Sequence, residues 1–205
     1  MARTDSTVDR PLSDQLEAWF RGSGPRTVGG LIDMSGEKSF AVVFIVLMAA
    51  PALPLPTGGV THVLEVVTML VALQLIAGRK SIWLPESWKK LEVGGKSGQR
   101  FATKLVQQLR RLERVSRPRL RGLFRHRLST TVFGILVLAL SLTAFVAPPF
   151  SGLDTLPALG VVLLALGVLL EDALIALIGA AIGAIGAILV VFLGSLVVDW
   201  IGQLV

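Results

Sequence analysis

Two apolar blocks of the chain are each interrupted by a cluster of proline and glycine. The run FAVVFIVLMAA (40–50) stops at PALPLPTGGVTH (51–62), and a second apolar run follows over 62–77. At 1.5 Å per residue these runs are about 17 Å and about 24 Å long, whereas the hydrocarbon core of a bilayer is about 30 Å thick. Because unpaired backbone is costly in lipid, we expect this first break to be buried in protein, to reach the headgroups or to line a wet cavity.

The composition favours a membrane protein over a nucleic-acid-binding protein. The chain has 205 residues, of which 53% are hydrophobic and only 17% charged. From Arg79 to Arg127 it holds 15 Lys/Arg and 3 Glu, a net charge of +12, while the rest holds 5 Lys/Arg and 11 Asp/Glu, a net charge of −6. A nucleic-acid binder would explain the basic block but not the apolar blocks on either side. The absence of cysteine excludes disulfide and thiol chemistry.

The second apolar block repeats the pattern of the first. The run 130–146 is followed by the break APPFSGLDTLP (147–157) and by another run over 158–170. A displacement of 93 residues places Pro56 on Pro149 and Gly59 on Gly152. Paired Pro/Gly-interrupted segments in two halves of a membrane protein are the best sequence indication of a transport-type binding site.

These patterns predict an all-α, polytopic integral membrane protein with two repeated Pro/Gly-broken helical hairpins and an intervening basic amphipathic segment. Basic residues favour the cytoplasmic side, so we expect a multi-pass membrane protein with the basic segment and the N-terminus in the cytoplasm. The predicted parts of this single membrane domain (1–205) are an N-terminal amphipathic helix and loop (1–38), a first hairpin (39–78), the basic interfacial segment (79–128), a second hairpin (129–172) and a last membrane helix (173–199).

The basic segment is predicted to lie along the membrane surface. From Arg100 to Val115 apolar residues recur at helical spacing, and the basic residues fall largely on the other face. Arginines in such a helix most simply bind anionic lipid headgroups, and an acidic polysaccharide is an alternative ligand. The predicted headgroup ligands are Arg110, Arg111, Arg114, Arg117 and Arg119.

His62 and Glu65 are the ionisable residues closest to the first break. Their spacing places them on one face of the helix that leaves the break. An ionisable group within a membrane segment suggests function, here carrying a proton or holding a polar ligand. The alternative is that both are simply solvated at headgroup depth. Two such ligands make a poor metal site, so no metal and no cofactor is predicted.

Hydroxyl and glycine residues of both breaks are the remaining candidates for ligand binding. Free backbone N–H groups and helix N-termini can bind an anion or a sugar hydroxyl. The alternative is a purely structural role in turns, with Asp154 or Thr155 capping the next helix. With His62, Glu65 and Gln74, which is predicted to hydrogen-bond between helices, the predicted ligand-binding residues are Thr57, Gly58, Gly59, Ser151, Gly152 and Asp154.

The last helix carries two further signals. Glu171 and Asp172 precede it, where carboxylates are favoured by the positive end of the helix dipole, and the alternative is that they pair with the basic segment. Three glycines line one side and predict close helix packing or self-association, and with it a homo-oligomer. They are Gly179, Gly183 and Gly186.

Several segments resemble the exopolysaccharide synthesis ExoD family over roughly residues 10–195. This resemblance implies an inner-membrane protein linked to exopolysaccharide production, without an established chemistry. The chain differs from the family pattern in its second break, which has PPFSG and Asp154, and in Ala173 after the acidic pair. The matching segments are GEKSF (36–40), LPLPTG (53–58), QLIAGRKSIWLP (74–85), RPRL (117–120) and LPALGVVLLALGVLLED (156–172).

We therefore expect a non-enzymatic membrane component of exopolysaccharide synthesis, a small transporter or channel-like carrier with its site between the two broken hairpins. A scaffold or regulator that binds anionic lipid and the synthesis machinery is the alternative. An enzyme acting on a lipid-linked sugar is a third class, although the sequence has no Walker loop, dinucleotide fingerprint, HExxH or GxSxG motif.

Overall fold

The described part of the chain is entirely helical. The computed structural model describes residues 12–22, 27–35, 39–53, 59–90, 127–148 and 151–202, with single positions between 103 and 111, and none of these residues is in a strand. The helices of this part are α1 (Leu12–Arg21), α2 (Val28–Ser35), α3 (Ser39–Ala49), α4 (Gly59–Ile76), α5 (Glu86–Lys89), α6 (Arg127–Val146), α7 (Thr155–Leu169) and α8 (Ala173–Gly202).

Helix α3 is the most deeply buried element. Every residue from Ser39 to Ala49 is buried, and the helix packs against α2, α4 and α7. Its sequence has no polar face, and a helix that is apolar all round is buried on all sides. Phe44 contacts Phe133 of α6 edge-on, with ring centroids 5.7 Å apart. The short first run of the sequence is therefore a core helix of the protein.

Helices α4 and α6 pack against each other in opposite directions. The ring of His62, near the start of α4, lies 5.4 Å from the ring of Phe145, near the end of α6. At the other end, a Cβ added to Gly78 would lie 3.2 Å from a guanidinium nitrogen of Arg127, which begins α6. We call the end of the bundle with His62 and Phe145 the break end, and the end with Gly78 and Arg127 the basic end.

Helices α7 and α8 form a second antiparallel pair held by glycines. A Cβ added to Gly160 would lie 2.4 Å from the Cα of Gly183, which means that the two backbones are in direct contact. Gly179 lies against Leu164, and Gly186 lies against Pro157. The glycines of the last helix thus serve close helix packing within the chain, which is one of the two predicted roles, and the predicted homo-oligomer through this helix stays a prediction.

Both α4 and α7 end with the same hydrogen-bonded turn. After α4, Gly78 has a φ of 79° and the N–H of Arg79 donates to the carbonyl of Gln74 at 3.0 Å. After α7, Glu171 has a φ of 55° and the N–H of Asp172 donates to the carbonyl of Gly167 at 2.8 Å. This is the Schellman arrangement that satisfies the last carbonyls of a helix.

The two acidic residues between α7 and α8 have different structural roles. Glu171 occupies the left-handed position at the end of α7, which is usually glycine. Asp172 caps α8, because a carboxylate oxygen accepts the N–H of Leu174 at 3.0 Å. The predicted structural role at the start of the last helix therefore belongs to Asp172.

Two helices of the described part are long and apolar enough to cross a membrane, namely Arg127–Val146 and Ala173–Ser195. Their outer faces expose large apolar side chains, among them Ile188 at 68% and Val191 at 70%. Residues of that kind are costly in water and suited to lipid. Shorter apolar helices, including α3 and α7, lie inside the bundle, so the fold suggests a membrane protein.

Candidate functional site

A buried carboxylic acid stands at the break end of the bundle. Helix α4 begins at Gly59, directly after the first break, so Glu65 lies in its second turn. Glu65 is 0% exposed, and neither of its carboxylate oxygens has a hydrogen-bond partner among the described residues. Buried polar groups are nearly always paired, so an unpaired buried carboxylate calls for a functional explanation.

His62 lies between this acid and the surface. Its Nδ1 is buried, lies 3.5 Å from Oε2 of Glu65 and makes no hydrogen bond within the described part of the chain. The side chain as a whole is 27% exposed. The imidazole ring packs on Phe145, which holds it at the junction of α4 and α6.

Asp154 belongs to the second break and lies near Glu65. Its charge interacts with that of Glu65, so the residue before α7 lies near the second turn of α4. We predicted that Asp154 or Thr155 caps α7. This prediction is wrong, because Asp154 stands at the cap position with helical backbone angles and no capping hydrogen bond, and Thr155 is already the first helical residue. The Asp154 carboxylate is therefore not used to hold the helix end.

Ser141 of α6 is a member of this group that the sequence analysis missed. It is fully buried, and its hydroxyl has no hydrogen-bond partner among the residues described. Ser141 lies one turn before Phe145, and Glu65 lies about one turn after His62, so the antiparallel packing places the serine at the level of the acid. A signal existed, because Ser141 shares the helical spacing of the buried Val137 and Ala144. We call His62, Glu65, Ser141 and Asp154 the polar cluster.

Two predicted residues of the second break have local roles. Ser151 is exposed, donates its hydroxyl to the carbonyl of Pro148 at 2.6 Å and accepts the N–H of Leu153 at 3.2 Å. Gly152 is exposed, has a φ of 69°, and would meet nothing within 4 Å if it carried a Cβ. Both residues shape the turn before α7 and face away from other elements.

Gln74 is far from the polar cluster. It lies nine residues after Glu65, which is about 13 Å along the helix axis toward the basic end. Its amide binds the backbone of Trp83 twice, donating to the carbonyl and accepting the N–H, each at 2.7 Å. The prediction that Gln74 binds a ligand or joins two helices is corrected, because its polar atoms hold the loop after α4.

The predicted headgroup arginines Arg110 and Arg111 differ in their surroundings. Arg110 is hydrogen-bonded to Asp14, at 2.8 Å, and to Glu17, both on α1. The hydrogen bond to Asp14 is the main cause that raises the pKa of Arg110. Its guanidinium is therefore engaged with the N-terminal helix, whereas Arg111 is exposed. Outside the described residues lie Thr57 and Gly58 of the first break and Arg114, Arg117 and Arg119 of the basic segment.

The polar cluster is suited to binding a proton or a small polar group. Within the described part of the chain, no three His, Cys, Asp or Glu side chains come close enough to hold a metal ion. What the cluster offers instead is two carboxylates, a hydroxyl and an imidazole nitrogen at the junction of α4, α6 and the second break.

Comparisons with known proteins support the resemblance noted in the sequence. The profile of a family described as "Exopolysaccharide synthesis, ExoD" matches residues 12–192, which include the whole polar cluster. A protein of Synechocystis sp. (strain ATCC 27184 / PCC 6803 / Kazusa), described as "Uncharacterized protein slr1875", is 31% identical over 167 residues, which are 80% of this chain and 78% of that protein. No solved structure matches the chain.

Proposed function

This chain belongs to the exopolysaccharide synthesis ExoD family, and we propose that it serves that pathway as a small carrier with its site at the polar cluster. Family membership implies involvement in exopolysaccharide synthesis. The proposed carrier is a non-enzymatic, multi-pass protein of the inner membrane and needs no cofactor. The observation that supports it best is Glu65, which is fully buried without a hydrogen-bond partner among the described residues.

A comparison of the two halves supports a functional reading of the cluster. The turns that end α4 and α7 are the same, and Gly78 and Glu171 in these turns are related by the displacement of 93 residues found in the sequence. The same displacement relates Glu65 to Ala158, and it relates Met48 to Ser141. Ala158 and Met48 are both fully buried, so equivalent places in the other half are filled by apolar side chains. Packing alone therefore does not require polar side chains at the positions of Glu65 and Ser141.

A scaffold or regulator is the alternative function, and the cluster argues against it. A scaffold would need only close apolar packing where the two breaks meet. An unpaired buried carboxylate costs stability, and a protein without a ligand at that place would gain by replacing it. Contacts of Arg111 with anionic lipid, self-association and contacts with synthesis proteins are compatible with either function and remain proposals.

The function of the site is tested by exopolysaccharide output in cells whose own copy is deleted and which express variants of this chain. We expect Ser141→Leu, which fills the site, to lower the output about tenfold or more while the protein stays in the membrane. Ser195→Leu is the matched control, because Ser195 is exposed on α8. Since Ser141→Leu also risks misfolding, Glu65→Gln, which keeps the shape, is tested alongside and should lower the output as well.

Transport is tested separately with the purified chain in liposomes. We expect uptake of labelled glucose or glucuronate by the wild type and loss of that uptake in Glu65→Gln. Normal exopolysaccharide output from both cluster variants, with equal membrane levels, would refute a functional site and would favour the scaffold.

A further inference from the structure

The polar cluster contains buried polar atoms that have no hydrogen-bond partner among the described residues. Four buried atoms of the described residues have no hydrogen-bond partner, and all four belong to the cluster: Nδ1 of His62, Oε1 and Oε2 of Glu65, and Oγ of Ser141. Both oxygens of an ionised carboxylate can only accept hydrogen bonds. An ionised carboxylate left unpaired in the interior is stabilised by binding something positive.

The charges around Glu65 do not supply that positive partner. From the second break, Asp154 contributes a second negative charge that acts on it. On its own helix, His62 lies 3.5 Å from it, and on α6 the uncharged Ser141 lies at the same level. Helix α3 contributes only apolar side chains and a serine. Within the described part of the chain, no lysine or arginine pairs with Glu65.

His62 gives this buried acid a connection to the surface. One ring nitrogen, Nδ1, is buried and faces the carboxylate at 3.5 Å. The other, Nε2, is not among the buried unpaired atoms, and the side chain is 27% exposed. An imidazole can accept a proton on one nitrogen and release one from the other, and it does so near neutral pH.

We propose that Glu65 binds and releases a proton and that His62 passes this proton between Glu65 and the break-end surface. This inference rests on the proposed carrier function and names the ion that its site takes up. In the uptake step, a hydronium ion at the surface gives a proton to Nε2 of His62 and becomes water, while the proton on Nδ1 moves to Oε2 of Glu65. Release runs the same transfers backwards, so no other bond forms or breaks. Asp154 and Ser141 are positioning residues, which tune the acid without relaying the proton.

Infrared difference spectroscopy on the full chain in liposomes tests this proposal without requiring transport. A protonated carboxyl group has a C=O stretch that a carboxylate lacks, so a pH titration should show that band appear at low pH and disappear at high pH. We expect Glu65→Gln to lose the band. Glu86→Gln is the control, because Glu86 is an exposed carboxylate paired with Lys89 at 2.7 Å, and it should keep the band.

The role of His62 is tested by the rate of the same signal after a jump in pH. We expect His62→Phe to keep the Glu65 band but to slow its change by about tenfold or more, because the relay is removed. A band that is absent from the wild type, or that persists in Glu65→Gln, would overturn the proposal. It would also be overturned by a signal that follows added sodium at constant pH, since the cluster would then bind a metal cation. These outcomes concern proton binding alone, whereas a failure of the carrier function shows as normal exopolysaccharide output from the cluster variants.

Discussion

The amide of Gln74 illustrates how a single polar side chain in an apolar run finds its partner. Both of its hydrogen bonds to Trp83 join the last turn of α4 to the loop that follows. A carboxamide matches a backbone peptide group in this way because it carries one donor and one acceptor on the same edge. The side chain of Gln74 therefore fastens the loop over 79–85 to α4.

Replacement of Gln74 should loosen this loop without affecting the polar cluster. We expect Gln74→Leu to lose about 1 to 3 kcal/mol of stability, because two hydrogen bonds to Trp83 and one to the carbonyl of Leu70 are removed. Gln74→Glu should lose less, since its carboxylate still accepts the N–H of Trp83 but cannot donate to the carbonyl. Amide hydrogen exchange of the peptide that contains Trp83 measures the effect. Unchanged exchange in Gln74→Leu would show that the loop is held by other contacts.

Gln74 also shows that the partner of a single polar side chain could not be predicted from the sequence. Gln74 and Glu65 are both polar side chains on α4, and the sequence assigned both to ligand binding. One of them is satisfied by a backbone nine residues away, and the other has no partner among the described residues. Helical periodicity places a residue on a face, but it does not reveal which loop folds back onto that face.

Among the helices, α7 and α8 depend on glycine for their closest contact. The Cα of Gly183 lies where a side chain at Gly160 would begin, so an added methyl group must push the two helices apart. Small residues allow this approach, from which helices in lipid gain their packing energy.

Gly160→Ala should therefore destabilise the protein by about 1 to 3 kcal/mol or more, as overpacking does. Gly194→Ala is the matched control on α8, because a Cβ there would meet nothing within 4 Å. The control should be neutral or slightly stabilising, since alanine is the better helix former. Unfolding of the purified protein in mixed detergent measures both. Equal effects of the two substitutions would contradict the close crossing of α7 and α8.

The positions of the helices along the chain could largely be predicted from the sequence, whereas the pairing of the helices could not. The apolar runs and the Pro/Gly clusters predicted where α3, α4, α6 and α7 begin and end to within a few residues. The sequence did not predict that α4 packs on α6 and that α3 packs on α7. Apolar helices carry no hydrogen-bond register, so their neighbours are set by shape, as at Gly134, where an added Cβ would lie 2.8 Å from Ile76.

For the whole molecule, the antiparallel pairs predict which parts lie on the same side of the membrane. The basic end should face the cytoplasm, because positive residues are retained there. We expect a cysteine at Ser97 and one at Ser6 to be labelled from the cytoplasm, and a cysteine at the exposed Ser151 to be labelled from the periplasm. The natural chain has no cysteine, so each label reports one position. Labelling of Ser6 and Ser97 from opposite sides would contradict this topology.

The polar cluster exists only if the start of α4 lies against the end of α6. Cysteines at His62 and Phe145, joined by a short bifunctional reagent in native membranes, test that contact directly. A cysteine pair at Gln74 and Phe145 is the control, because Gln74 lies about 18 Å from His62 along α4. We expect an efficient intramolecular cross-link for the first pair and none for the second. A cross-link for the second pair but not the first would mean that α4 and α6 do not run antiparallel and that the polar cluster does not form.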